Sequence, residues 1–223
     1  MTPAQAHPGP WPAMARAVSR HFFLKGLGTA VFIAVFFAAY FYLLKHPAFP
    51  VAVMPRTWAD RLIGFAPLAL PVYLSLWVYV SLPPLFFSDR RELLHYGLAI
   101  ALTCLAGLAV FYAWPTATPA ADVDWLQYPD MRFLKNIDAA GNACPSLHVA
   151  TAVFSGLWLH QLLRGFSVPS WLLWLNALWC AGIAYSTLAT RQHVAVDVAA
   201  GIALGAFGAW LSLRLHRRRG GRA

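Results

Sequence analysis

Residues 186–205 read STLATRQHVAVDVAAGIALG. From Val194 onward the run is apolar except for one acid, Asp197, which stands four residues after His193. In a helix that spacing puts both side chains on one face, and Gly201 and Gly205 continue the same stripe. Small residues on such a stripe let another helix approach closely. A carboxylate one turn inside an apolar helix is costly in a membrane and faces the bundle interior, with a partner. The segment therefore predicts a spanning helix that packs through its His/Asp/Gly face.

Working outward, five more stretches have the length and apolarity to cross a hydrocarbon core of about 30 Å, which takes roughly 20 residues of helix. They are Gly26–Leu44, Leu62–Phe87, His95–Trp114, Ser146–Leu163 and Ser170–Ala189, and Val194–Leu213 completes the set. Across all six, Asp197 is the only formally charged residue. Pro67 and Pro71 should kink the second. The chain has 223 residues, 60% hydrophobic and only 11% charged, against about 25% charged in soluble domains. That excludes a water-soluble globule, a disordered chain and a disulfide scaffold. The expected fold is all-α: a polytopic six-helix membrane bundle, with one long outside loop, Pro115–Pro145, between helices 3 and 4. Residues 1–25 form an N-terminal tail, 26–213 a single domain and 214–223 a basic tail. Gly26–Leu44 is longer than a signal-peptide core and is expected to remain as the first span.

The net charge of +9 does not point to nucleic acid. Basic residues gather at the chain ends and between the spans, as topology signals do. With the N-terminus in the cytoplasm, eleven of the seventeen Lys and Arg fall inside, among them Arg16, Lys25, Arg90, Arg164 and Arg217; Lys45, Arg56, Arg61, Arg132, Lys135 and Arg191 fall outside. The bias favours both termini in the cytoplasm. The expected location is the bacterial inner membrane, with the site on the periplasmic side. Cys104, Cys144 and Cys180 form no spaced pair, so neither a disulfide framework nor a zinc site is expected. Within the long loop, Asp124–Ile137 mixes aromatic and aliphatic residues with Arg132 and Lys135, as a short helix on the membrane surface would.

Asn142-Ala143-Cys144-Pro145-Ser146-Leu147-His148 carries the second group of functional residues. Ser146 suits the N-cap of the fourth helix, whose free N–H groups would suit a phosphate. His148 lies beside that start, where it can donate a proton to a leaving oxygen. In the six-span topology the fourth and sixth helices both begin at the outer leaflet. His148, His193 and Asp197 then lie at similar depth, with Arg191, Arg132 and Lys135 nearby. Asp197 would orient one imidazole nitrogen of His193 and leave the other as base or nucleophile. Two imidazoles, a carboxylate and several cations match the needs of phosphoryl transfer.

Pro145-Ser146-Leu147-His148 and Arg191-x-His193-x3-Asp197 resemble the second and third signatures of the type-2 phosphatidic acid phosphatase superfamily, which includes lipid phosphate phosphatases. The resemblance runs from about Trp58 to Gly205. It implies that His193 is the nucleophile of a phosphohistidine intermediate supported by Asp197, that His148 protonates the leaving group, and that Ser146 and Arg191 contact the phosphoryl oxygens. It implies no metal and no cofactor. The chain departs from the pattern in three places. Thr187 stands where the third motif usually has Arg, the second-motif glycine is Leu147, and the first motif is absent, which leaves Arg132 or Lys135 to supply its charge. These departures are similar to the branch containing inositol-phosphate and phosphocholine lipid transferases.

The reading is an integral membrane lipid phosphatase that hydrolyses a phosphomonoester or diphosphate on a lipid at the outer face. Its partners are a lipid phosphate or polyprenyl diphosphate and the surrounding membrane lipids. A lipid phosphotransferase passing the head group to a lipid alcohol is the alternative within the class. A proton-coupled transporter, with His193 and Asp197 as a relay, is the alternative outside it.

Overall fold

The computed structural model describes residues 9–131 and 142–220. Its helices are α1 (Pro10–Ser19), α2 (Phe22–Lys45), α3 (Trp58–Leu62), α4 (Leu70–Leu74), α5 (Leu76–Tyr79), α6 (Leu82–Phe86), α7 (Arg90–Ala113), α8 (Leu147–Gly165), α9 (Ser170–Ala189) and α10 (Ala195–Gly220). Two short strands, β1 (Ala52–Val53) and β2 (Thr116–Ala117), pair in parallel. Five helical stretches among the described residues are long and apolar enough to span a membrane: Phe22–Lys45, Pro67–Phe86, Arg90–Ala113, Ser170–Ala189 and Ala195–Arg218.

Five of the six expected spans coincide with these. The helix α9 has the expected bounds, while α2 and α7 begin earlier than apolarity alone suggested. In α7 the start is set by Asp89, whose carboxylate accepts the N–H groups of Arg91 and Glu92, so the helix takes in Arg90, Arg91 and Glu92 as well. The boundaries expected at 25/26 and 213/214 fall inside α2 and α10. The second span is segmented: a 3-10 turn at Pro67–Ala69 leads into α4, α5 and α6. Prolines 67, 71, 83 and 84 interrupt it, each lacking the N–H that a continuous helix would use.

The sixth stretch, Ser146–Leu163, is helical as α8, but its role differs from its neighbours'. Ten of its nineteen residues are buried, on all sides of the helix, whereas α2 buries only Lys25 and Leu44. Helices flank α8 on several sides: α10, α9, α7 and the α5–α6 segment all pack on it. Its neighbours are protein, which explains why it tolerates Ser155, Gly156 and Thr151 within its length and is less apolar than the others. The periphery shows the opposite pattern. Phe23, Leu27, Val31 and Val35 form an exposed i, i+4 stripe along α2, and Leu94, Leu98, Leu102 and Leu105, spaced by four, four and three, form another on α7. Continuous apolar stripes of that size suit lipid contact. The chain is an integral membrane protein of packed helices.

The glycine stripe of α10 faces α8. A Cβ at Gly201 would meet the Ser146 carbonyl, and one at Gly205 would run into the Ala150 carbonyl. Both obstacles are backbone and cannot swing aside. Gly205→Ala is therefore expected to destabilise the fold by about 1–3 kcal/mol. Gly26→Ala, where a Cβ meets nothing within 4 Å, is expected to leave stability unchanged or raise it by up to about 1 kcal/mol through helix propensity. Thermal unfolding in detergent distinguishes them, and equal midpoints would refute the close contact.

One end of the bundle is tied by the strands. Ala52 N–H donates to the Pro115 carbonyl at 2.9 Å, and Met54 N–H to that of Ala117 at 2.9 Å. Thr116 accepts from Ala143 N–H at 3.0 Å, and its Oγ1 accepts from Cys144 N–H at 2.8 Å. The ends of α2 and α7 are thereby joined to the start of α8. At the opposite end, His95 contacts the Ser212 carbonyl and His216 lies 3.7 Å from Glu92.

Candidate active site

At the strand-tied end, the starts of α8 and α10 lie side by side. Ser146 caps α8, its Oγ accepting from Val149 N–H at 3.3 Å, as its position suggested. Its own N–H donates to the Asp197 carbonyl at 3.0 Å, binding the two helix starts together. Ser146 and Asp197 are both fully buried. Asp197 closes the first turn of α10: Oδ2 accepts from Val194 N–H at 3.1 Å, the carboxylate half of a capping box. The same Oδ2 lies 3.6 Å from His193 Nδ1, an ion-pair separation longer than a hydrogen bond. Burial, reinforced by the charge of Asp197, pushes the Cys144 thiol up to about 11, which leaves it protonated and unreactive.

The imidazole of His148 stacks on Tyr73, ring centroids 4.1 Å apart and planes 16° from parallel, with Trp77 edge-on at 6.3 Å. Both aromatics come from the proline-broken α4–α5 segment, so the breaks that interrupt the second span also shape the wall behind His148. His148 and His193 line a common cavity of about 1030 Å³ with Asn142 and Thr151. The cavity follows α2 from Phe41 down to Leu24, roughly 25 Å at 1.5 Å per residue, between α2, the α4–α6 segment and α7. Its lining is mainly apolar.

Among the described residues, four buried side-chain polar atoms have no hydrogen-bond partner: Asn142 Oδ1, His148 Nε2, His193 Nδ1 and Asp197 Oδ1. Every one belongs to this site. An unsatisfied buried polar atom costs about 1–3 kcal/mol, and such atoms gather where function requires them.

The turn between α9 and α10 positions His193. The helix α9 ends at Ala189 with Thr190 as C-cap. Arg191 N–H then donates to the Leu188 carbonyl at 3.1 Å and Gln192 N–H to that of Thr187 at 3.0 Å. These are the two bonds of a Schellman motif, and Arg191 occupies its left-handed position with φ of 59°. Glycine is the usual residue there. His193 N–H adds a second donor to the Thr187 carbonyl at 3.1 Å. Thr187, which stands where the resembled motif has Arg, thus supplies one carbonyl that accepts both the Gln192 and the His193 N–H groups of the turn.

The structure brings together His148, His193, Asp197 and Ser146. Arg191 lies beside them, its Nη1 donating to the Asp60 carbonyl at 3.1 Å, away from the cavity lining. Arg132 and Lys135 lie outside the described residues. Sequence reasoning missed Asn142, whose Nδ2 donates to the Tyr40 carbonyl at 2.9 Å. It also missed Asp60, the aromatic wall and the acceptor role of Thr187. Of these only Asp60 had a local signal: Thr57-x-x-Asp60 has capping-box spacing, and the box forms.

Comparison with the curated proteins and with the solved structures finds no match. The family model of the PAP2 superfamily matches residues 92–220. Members of that superfamily are phosphatases, which supports phosphoric-ester hydrolysis at the level of the family, on phosphate-bearing substrates in a membrane setting. The matched region includes nearly all of α7 and the whole of α8 to α10, with both histidines and Asp197, and covers more than half of the chain: the protein belongs to the PAP2 superfamily.

Proposed function

We propose that the protein is a lipid phosphatase that cleaves a phosphomonoester or diphosphate through a phosphohistidine on His193. The observation that carries this reading is the shared cavity: two imidazoles at one end, mainly apolar walls along the rest. His193 attacks phosphorus, the P–O bond to the lipid breaks, and His148 gives its proton to the departing oxygen. Water then attacks the phosphohistidine, giving up a proton to His148 as the N–P bond breaks. The products are a lipid with a free hydroxyl or one phosphate fewer, and inorganic phosphate. Asp197, beside Nδ1, stabilises positive charge on the ring. Arg191 has five guanidinium N–H donors and uses one on Asp60, leaving others for phosphoryl oxygens. The Ser146 hydroxyl, and Arg132 and Lys135 from the loop, complete the phosphate contacts in this reading. The position of the site at one end of the bundle argues against a transporter, whose sites lie near the midplane.

Phosphate release by the purified protein, measured across phosphatidic acid, phosphatidylglycerol phosphate and undecaprenyl diphosphate, tests the reading. Release from at least one lipid is expected. Transfer to an added lipid alcohol in place of release would favour the phosphotransferase.

We further propose that α8 is the sixth span, that the loop before it lies outside, and that both termini are cytoplasmic in a bacterial inner membrane. The bias of basic residues supports this arrangement. Asp122 is exposed at the strand-tied end and Arg217 at the other. A cysteine at 122 is expected to react with a membrane-impermeant maleimide in intact cells, and one at 217 only after lysis. The reverse pattern would move the site to the cytoplasm.

A further inference from the structure

Asp60 has no role in the chemistry above, yet it holds the site from both sides. It is 5% exposed. Its Oδ2 accepts from Thr57 N–H at 2.6 Å and Thr57 Oγ1 at 2.8 Å. Its Oδ1 accepts from Ala195 N–H at 2.7 Å, across 135 residues of chain. Its backbone carbonyl accepts from Arg191 Nη1 at 3.1 Å. Burial alone would raise the carboxyl pKa, but the hydrogen bonds from Thr57 and Ala195, with the charge of Arg191, outweigh it and hold the group below the usual carboxylate range. Asp60 is therefore ionised at neutral pH.

The two distant contacts have a specific geometry. Arg191 and Ala195 stand two residues before and two residues after His193. Ala195 is the first residue of α10, so its N–H is one of those a helix leaves without an internal partner. The preceding N–H, of Val194, goes to Asp197. A carboxylate at this point also interacts favourably with the helix dipole. Arg191 meanwhile sits in a left-handed conformation that an arginine adopts only at a cost, with its guanidinium pointed at α3.

We propose that Asp60 is a positioning residue for phosphoryl transfer: one residue clamps the chain on both sides of His193 and fixes the Arg191 guanidinium relative to it. The inference rests on the phosphatase reading. A misplacement of about 1 Å at a reacting group costs on the order of 100-fold in rate, so loosening the clamp acts on turnover. Substrate binding depends on the cavity, which Asp60 does not line.

The test is a double-mutant cycle on the full-length protein, with Asp60→Ala, Arg191→Ala and the double variant. Phosphate release from phosphatidic acid and from undecaprenyl diphosphate in mixed micelles gives kcat and KM, and thermal unfolding is measured in parallel. Asp60→Ala is expected to lower kcat roughly 10- to 100-fold with KM nearly unchanged. Asp60→Asn retains an acceptor for Ala195 and is expected to recover part of that loss. Both substitutions leave the residue-60 carbonyl in place, but the Asp60 carboxylate fixes the start of α3 and with it the carbonyl that Arg191 binds, so the double variant is expected to be no slower than the slower single variant. Multiplicative effects of the two substitutions would overturn the clamp. So would a change confined to KM, or an Asp60→Asn variant as slow as Asp60→Ala at unchanged thermal stability. Should Asp60→Ala fail to fold, Asp60→Asn carries the cycle. Equal release by wild type and His193→Ala overturns the phosphatase reading, and the clamp with it. Release that depends on His193 together with multiplicative effects overturns the clamp alone.

Discussion

His193→Ala is expected to lower phosphate release by on the order of 10⁴-fold or more, the size of loss seen when a covalent nucleophile is removed. The substitution leaves the Thr187 carbonyl bond intact, because that bond is made by the backbone N–H of residue 193. Thermal stability should hold, since the ring's partner, Asp197, keeps its bond from Val194 N–H. His148→Ala should behave differently. Proton donation matters most for a poor leaving group, so the loss should be about 10²- to 10⁴-fold on a lipid phosphomonoester and much smaller on p-nitrophenyl phosphate, whose leaving group needs little protonation. Phosphate release and trapping of a phosphorylated intermediate check both expectations. An active His193→Ala variant would exclude the phosphohistidine, and equal losses on both substrates would exclude His148 as the acid.

Arg191→Gly is the second large effect, and its interest is that activity and stability should move apart. The left-handed backbone at Arg191 costs a non-glycine residue about 1–2 kcal/mol, and glycine relieves that cost at the left-handed position of a Schellman motif. Set against it, glycine makes the unfolded chain more flexible. The net expectation is a melting temperature equal to or above wild type. Activity should fall roughly 100-fold or more, as removal of a preorganised charge does. Arg191→Ala removes the same guanidinium without relieving the backbone, so it should lose the same activity and be no more stable than wild type. If Arg191→Gly retains wild-type kcat, the guanidinium neither engages the phosphoryl group nor serves turnover through its contact with Asp60.

Much of this architecture is local, and what is local could be read directly. The Gly201–Gly205 stripe depends on the period of one helix and packs against α8 as that period implies, whereas His193 precedes α10 in the turn and meets Asp197 from outside the helix, not from one helical face. Ser146 as N-cap needs only its own first turn. The bounds of α9 follow from Pro169 before it and the Schellman turn after it.

Other features needed the fold. The long apolar run of the second span gives no indication that its proline breaks turn Tyr73 and Trp77 onto His148. Hydropathy marks a helix that faces lipid, so it says little about α8, whose surroundings are other helices. Asn142 and Asp60 make their decisive bonds to Tyr40, Arg191 and Ala195 across roughly a hundred residues or more. The sequence by itself therefore determined the membrane class, the helix faces and the two histidine motifs, since each is written in spacings of one to four residues. Only the tertiary structure decided which helix is central, what walls the cavity and which carboxylate holds the chain around His193, because those depend on contacts between segments that no local period relates.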